Sequence, residues 1–364
     1  PLIVYLALGL AMTSVIFKDR HDVRTVSSPT GTPVTRIAFA DAIAAWKRAN
    51  GCTKPGEKCR PIIVAAEGGA SRAAFFTASA LALLKERANE RGGDFTKRLF
   101  AIVGVSGGAL GAATFVAADA AQRSGKLRTK TRCTAFCGWF RWHCRPSVVP
   151  CEPYKGGALM KTVQMFLAND FLSPPIAHYV FFDLLKLGGA NRVTALEQSW
   201  ETHFEREAGP NAFARPFSEF APKLNTQGTD WRPLMLFYGS SVESGRRIMV
   251  SSLTPDYSTG KRIFRDSYDL YELMCMGEAN RGAVGKSDCV CKRGAKGEPA
   301  LPICDIKLST AVTTSARFPG ISASGRILNA RRTPVARVVD GGYFDYFGIT
   351  TAIELAEVVA GEEV

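Results

Sequence analysis

Residues 99–110 read Leu99-Phe100-Ala101-Ile102-Val103-Gly104-Val105-Ser106-Gly107-Gly108-Ala109-Leu110. Phe100 to Val103 is an apolar, β-branched run with the character of a buried strand. Gly104-Val105-Ser106-Gly107-Gly108 follows at once, and Ala109 to Ala121 is a helical run of small residues. Strand, Gly-x-Ser-x-Gly and helix in that order predict a nucleophile elbow, a turn too sharp for bulky flanking residues. Such an elbow holds the Ser106 hydroxyl at a helix N-terminus, where the macrodipole favours developing negative charge. The competing reading is a tight strand-to-helix turn whose serine only caps the helix.

Upstream, Pro61 to Ala66 predicts a second short buried strand and Ala73 to Asn89 a second helix. Between them, the glycines of Glu67-Gly68-Gly69-Ala70-Ser71-Arg72 leave backbone N–H groups unshielded and open to an anion. The P-loop pattern and the dinucleotide Gly-x-Gly-x-x-Gly pattern are both absent here, so an oxyanion hole serving the serine is the stronger reading. Arg72 either steadies this loop, meets a headgroup phosphate, or is an ordinary surface arginine.

A nucleophilic serine needs a proton acceptor. The chain has 4 histidines, His21, His143, His178 and His203. None follows residue 203, where the Ser-Asp-His order of α/β-hydrolases would place one. Asp340 is better placed. It ends the strand Pro334–Val339 and precedes Gly341-Gly342, and a closing helix spans Thr350 to Val359. In a parallel sheet, strand C-termini share one edge, so Ser106, the Gly68 loop and Asp340 are expected to converge there. A carboxylate serves as base for a serine only when it is partly desolvated.

The chain has 364 residues, 46 of them basic and 33 acidic, for a net charge of +13. That balance suits anionic partners. No zinc-finger spacing or RNA-binding aromatic signature is visible, so an anionic membrane surface is preferred over nucleic acid. Residues 1–17 carry no charge and are followed by Lys18, Asp19, Arg20, His21 and Arg24; they predict the end of a transmembrane helix. Residues 18–60 read as a tether containing a helix from Ile37 to Asn50, with Ile37, Phe39, Ile43 and Trp46 as its apolar positions.

Insertions are expected near 122–157, basic and aromatic as at a bilayer interface, and near 254–305. The 10 cysteines fall in local groups: Cys52 and Cys59; Cys133, Cys137, Cys144 and Cys151; and Cys275, Cys289, Cys291 and Cys304. This grouping suggests stapled loops in an oxidising compartment, and the spacing fits no common zinc motif. The compartment argument favours the extracytoplasmic side for the catalytic domain, whereas the basic residues after the apolar run favour a cytoplasmic start. Phe171 to Leu187 either lines an acyl pocket or is core, with core the default reading; Arg232–Ser240 and Arg246–Leu253 read as a hairpin, and Leu308–Arg317 as a helix.

The three motifs, taken in order, resemble those of the patatin-like phospholipase family. Glu67-Gly68-Gly69-Ala70-Ser71-Arg72-Ala73 is similar to its Asp-Gly-Gly-Gly-x-Arg-Gly loop, Gly104–Gly108 to its elbow, and Asp340-Gly341-Gly342 to its Asp-Gly-Gly/Ala motif. Arg20–Arg24, Asp170–Pro174 and Ser315–Pro319 resemble a bacterial membrane-anchored branch. The departures are Glu67 for Asp, Ala70 and Ala73 for Gly, and Tyr346 where that branch carries Asn. The resemblance spans residues 61 to about 360.

It implies an α/β fold, a three-layer α/β/α sandwich with a mostly parallel central sheet behind an N-terminal transmembrane helix, anchored in a bacterial inner membrane. It further implies Ser106 as nucleophile, Asp340 as base, and the N–H groups of Gly68, Gly69 and Ala70 as oxyanion hole. Arg72, Gly104, Gly107, Gly108, Gly341 and Gly342 act in support. The implied activity is ester hydrolysis on membrane lipids with no metal or cofactor. Two alternatives stay open: an α/β-hydrolase using His178 or His203, and a catalytically silent membrane-interaction protein on the same fold.

Overall fold

The computed structural model describes residues 21–26, 36–52, 59–128, 158–184, 191–222, 224, 231–255, 262–275, 305–318, 320–329 and 332–361. In chain order the elements are β1 (Thr25–Val26), α1 (Phe39–Ala49), β2 (Ile62–Ala66), α2 (Ala70–Glu90), α3 (Phe95–Arg98), β3 (Leu99–Gly104), α4 (Gly107–Arg123), α5 (Ala158–Leu167), α6 (Ser173–His178) and α7 (Arg192–Ala208). They continue with β4 (Leu234–Ser241), β5 (Arg247–Ser251), β6 (Ser267–Asp269), α8 (Leu270–Cys275), β7 (Asp305–Ile306), α9 (Leu308–Ser315), β8 (Gly325–Leu328), β9 (Pro334–Val339) and α10 (Ile349–Gly361).

The apolar run of β3 exists because the strand is buried on both faces. Leu99 and Ile102 join a core with α2, α4, α5 and α7, while Phe100 and Val103 join Trp46, Trp231, Leu355 and Val358 on the other face. β4 divides in the same way, with Met235 and Phe237 on one side and Leu234, Leu236 and Tyr238 on the other. Helices therefore cover both faces of the sheet. The small residues of α4 let it press against α2. A Cβ added at Gly111 would stand 2.6 Å from the Ala74 carbonyl oxygen.

The strands run β2-β3-β4-β5-β6, with β2, β3 and β4 mutually parallel and β5 antiparallel to β4. The hairpin expected between β4 and β5 is present, and Gly245 in its turn has φ +69°. β9 is antiparallel to β4 and pairs with it at Ser240 and Ser241, while β8 pairs with β9. At Ser240 the other edge of β4 is already taken by Arg247 of β5, so β9 lies on the β3 side. β3 and β9 thus occupy the same edge of β4 and point at each other. Gly104 stands opposite Phe237 and Val339 opposite Ser240, about 10 Å apart along β4 for three residues of strand. The expected convergence of Ser106 and Asp340 is met, but through a strand that enters against the direction of β3.

Part of the expected tether is packed onto this framework. Asp22 bridges to Arg326 of β8, β1 pairs with β7, and the Ile37 N–H donates to Ser252 O. Ile37, Phe39, Ile43 and Trp46 are all buried, as their spacing predicts. Two expectations need correction. Leu172, Ile176, Tyr179, Val180 and Phe181 are exposed, so the stretch after Phe171 is not core along that length. Among the described residues no helix is long and apolar enough to cross a membrane, so the fold is not given a transmembrane helix and the inner-membrane localisation falls with it. The expected span at 1–17, residues 129–157 and 276–304, His143 and seven of the cysteines (133, 137, 144, 151, 289, 291 and 304) lie outside the described residues. Cys52 and Cys59 form a disulfide.

Candidate active site

Ser106 has φ 51° and ψ −116°, a left-handed, strained conformation that a serine holds only when its surroundings over-determine it. Four features supply that constraint. The Val105 N–H donates to Ala66 O at 3.0 Å, and the Ser106 N–H donates to Ser315 Oγ at 2.9 Å. Gly104 is pressed against Ala109, where a Cβ would stand 2.6 Å from the Ala109 Cα. Gly107 and Gly108 lie against the preceding loop: their Cβ atoms would stand 2.0 Å from Ala70 O and 2.2 Å from Ala66 O. Gly107 and Gly108 are therefore set by backbone-to-backbone approach between the start of α4 and the Gly68 loop, and Gly104 by the approach of α4 to the end of β3. Ser106 occupies the N-cap position of α4, but its hydroxyl makes no capping hydrogen bond, so the capping alternative does not describe this serine.

Asp340 is 6% exposed and follows β9 directly. Its Oδ1 accepts the Gly342 N–H at 2.9 Å. Burial pushes the carboxyl above its ordinary value; the Gly342 N–H and then the Ser106 hydroxyl pull it back down by hydrogen bonding. Oδ2 is buried and completes no hydrogen bond of ordinary geometry. The serine hydroxyl thus acts on a desolvated carboxylate with one unsatisfied oxygen, an arrangement that tightens readily on substrate binding. Gly341 is required here because a Cβ would stand 2.3 Å from Tyr238 O in β4.

The Gly68 loop is carried by β2, which runs parallel to β3 and ends beside Gly104. Of the three expected oxyanion donors, the Gly68 N–H is already donated to Tyr346 O at 2.9 Å, so that donor is withdrawn. The N–H groups of Gly69 and Ala70 have no acceptor among the described residues, which leaves them as the donor pair. Ala70 sits at φ 51°, where the family pattern has glycine. The Tyr346 ring forms the wall of the loop: Cβ atoms on Gly68 and Gly69 would stand 3.0 Å from its Cε2 and 3.2 Å from its hydroxyl. Arg72 is exposed on the first turn of α2. The ring Nδ1 atoms of His178 and His203 lie 3.0 and 2.8 Å from the backbone oxygens of Pro174 and Ser199, each one helical turn back.

Sequence reading missed Ser315 and Tyr346 as parts of the site. The tyrosine is flagged only by its departure from Asn, and Ser315 only as the first residue of the Ser315–Pro319 stretch that resembles the membrane-anchored branch; neither signal gives the residue a role in the site.

No protein-family model and no curated protein matches the chain. Two solved structures of human GIVD cytosolic phospholipase A2 do. The one in complex with methyl gamma-linolenyl fluorophosphonate has 14% identity and a TM-score of 0.31, over 58% of this chain and 26% of that one. The other has 10% identity and a TM-score of 0.36, over 86% of this chain and 48% of that one. This chain thus spans from a quarter to a half of those neighbours' lengths, and at such scores the likeness has no weight for function.

Proposed function

We propose that the protein is a serine carboxylic ester hydrolase of the patatin-like type, acting on lipid esters through a Ser106–Asp340 dyad. The observation that carries this reading is the strained elbow that holds Ser106 with its hydroxyl uncapped beside a buried, partly unsatisfied carboxylate. In the reaction, the Ser106 hydroxyl gives its proton to Asp340 as its oxygen bonds to the ester carbonyl carbon. The tetrahedral oxyanion is held by the N–H groups of Gly69 and Ala70 at the positive end of α2. Collapse expels the alcohol, protonated from Asp340, and leaves an acyl-Ser106 ester. A water molecule, deprotonated by Asp340, then attacks that ester; as the acyl–Oγ bond breaks, Asp340 returns the proton to Ser106 and the carboxylic acid leaves.

Desolvation is what makes this work without imidazole, because it raises the basicity of a carboxylate that would otherwise be too weak. The three chain segments that carry the site also carry exposed apolar side chains, Phe76 in the helix after the Gly68 loop, Phe318 next to Arg317, and Tyr343 and Phe347 after Asp340; they favour acyl chains over small polar esters. The test is hydrolysis of p-nitrophenyl butyrate and a long-chain ester by wild type, Ser106→Ala and Asp340→Asn, with fluorophosphonate labelling in parallel. Loss of turnover by several orders of magnitude in both variants is expected. Full activity in Ser106→Ala sinks the proposal.

A further inference from the structure

We propose that Ser315 is a positioning residue that sets the alignment of Ser106 against Asp340, a role that rests on Ser106 being the nucleophile. Ser315 is the last residue of α9 and fully buried. Its Oγ accepts the Ser106 N–H at 2.9 Å. That N–H has no intrahelical route, since the residues entering a helix have no acceptor within it, and β3 has already ended at Gly104. On its other side, Ser315 Oγ lies 3.2 Å from where a Cβ would stand on Gly341, so it abuts the turn that carries Asp340. Two residues further on, Arg317 O accepts the Asp340 N–H at 3.2 Å. One short segment, 315–317, therefore holds the backbone of both dyad members.

The segment is itself anchored from behind. Thr310 donates to the Glu197 carboxylate at 2.9 Å, Thr313 donates to it as well, and Ser309 donates to Glu201 at 2.7 Å. Both acids belong to α7 and are buried. Arg24 reaches them at 2.7 and 3.0 Å, and Lys307 reaches Glu201 at 3.1 Å. α9 is thus locked along its length by a charged, hydrogen-bonded network, and Ser315 is where that rigidity is delivered to the nucleophile. A strained serine persists only in such a frame, and a catalytic oxygen displaced by even a fraction of an ångström loses its near-attack geometry.

The experiment compares Ser315→Ala, Ser315→Cys and Thr314→Ala in the full chain, reading the rate constant for fluorophosphonate labelling of Ser106, kcat and KM on p-nitrophenyl butyrate, and thermal melting. Thr314 is buried on the same helix and donates only to Thr310 O, at 2.8 Å, so it reports what a purely structural loss does. In Ser315→Ala, labelling and kcat are expected to fall about ten- to a hundredfold with KM within about twofold, the kinetic equivalent of one orphaned buried N–H. Thr314→Ala is expected within about threefold of wild type, and Ser315→Cys, with similar volume and a weaker acceptor, between wild type and Ser315→Ala. Wild-type labelling in Ser315→Ala overturns the proposal, as does an equal loss in Thr314→Ala. Should Ser315→Ala fail to fold, wild-type labelling of Ser315→Cys overturns it. A wild-type protein that is not labelled at Ser106 overturns the dyad reading first, which separates the two failures.

Discussion

Replacing Gly107 by alanine sets two physical effects of opposite sign against each other. Gly107 is the first residue of α4 and is not among the residues with positive φ, so its backbone accepts an alanine. Intrinsic helix propensity then favours the substitution by up to about 1 kcal/mol. Against this, the new Cβ would stand 2.0 Å from Ala70 O, 2.8 Å from Ala70 C and 2.9 Å from Ala70 N. All three are backbone atoms, so no side chain can turn aside. Restoring even a 3.0 Å contact requires the elbow and the oxyanion loop to part by 3.0 minus 2.0, or 1.0 Å. Overpacking of this kind costs about 1–3 kcal/mol, so after a propensity gain of about 1 kcal/mol a net destabilisation of about 0–2 kcal/mol is expected.

The effect on chemistry is larger than the effect on stability, because the 1 Å gap opens between the nucleophile and its oxyanion donors. Misplacement by about that distance lowers a rate by about a hundredfold. The assay is the second-order rate constant for fluorophosphonate labelling, alongside thermal melting. Gly361→Ala is the control: a Cβ at this last residue of α10 meets nothing within 4 Å, and no change in labelling is expected. Labelling of Gly107→Ala at the wild-type rate would mean that the approach of α4 to the Gly68 loop has no bearing on the reacting groups.

Two further outcomes follow from the charged groups. Asp340 has its pKa raised by burial, so the folded state holds its proton more tightly than the unfolded chain does. The resulting stability penalty is absent below the ordinary value of about 3.9, grows through the window up to the raised value, and is fully present above it. Asp340→Asn is therefore expected to be at least as stable as wild type at pH 7, with the difference vanishing in acid, while turnover falls about a thousandfold or more. Wild-type kcat is expected to decline as pH falls through the same raised value; melting temperature and kcat as functions of pH check both, and an Asn variant that loses stability and activity together at pH 7 counts against the assignment. Arg24→Ala leaves Glu197, 0% exposed, without its cation, and is expected to destabilise by about 3 kcal/mol. Denaturant midpoints measure this, and a change below about 1 kcal/mol shows that the threonine hydroxyls alone satisfy the carboxylate.

The parts of the site that sequence made legible are those where chemistry restricts residue type locally. The elbow was readable because Gly104, Gly107 and Gly108 each face backbone at distances that admit no Cβ, so the constraint is written in three glycines within five residues. The Gly68 loop was readable for a similar reason, although its clash partner is the Tyr346 ring, almost three hundred residues along the chain. The helix at 37–50 was readable from its apolar spacing, but not its docking, which depends on the Ile37 backbone meeting Ser252 and Thr254. The Gly68 N–H was miscounted as a free donor for the same kind of reason: its acceptor is a backbone oxygen, and every residue type has one. The stretch after Phe171 misled because apolar composition reports what a segment can bury, not whether another element arrives to cover it.

The spacing between Ser106 and Asp340 is the least legible feature, and its cause lies in β4. A parallel-sheet expectation brings strand ends to a common edge but leaves their lateral spacing free. Here β3 and β9 end head-on along the same edge of β4, and the gap between Phe237 and Ser240 fixes how far apart the two turns can be. That gap is filled by Tyr238 and Gly239. Gly239 is required because a Cβ would stand 2.2 Å from the Val338 side chain and 2.3 Å from Thr314 O, and Tyr238 O sits under Gly341. β4 therefore works as a ruler on which both turns are indexed, with α9 pressed against the same marks through the Thr314 backbone carbonyl and the Ser315 side chain. A one-residue slip of β9 on β4 would move Asp340 by about 3.3 Å and turn its side chain to the opposite face of the sheet. The antiparallel entry of β9 thus gives the dyad a defined separation in a way that two parallel strand ends, each free to overhang its neighbour, would not.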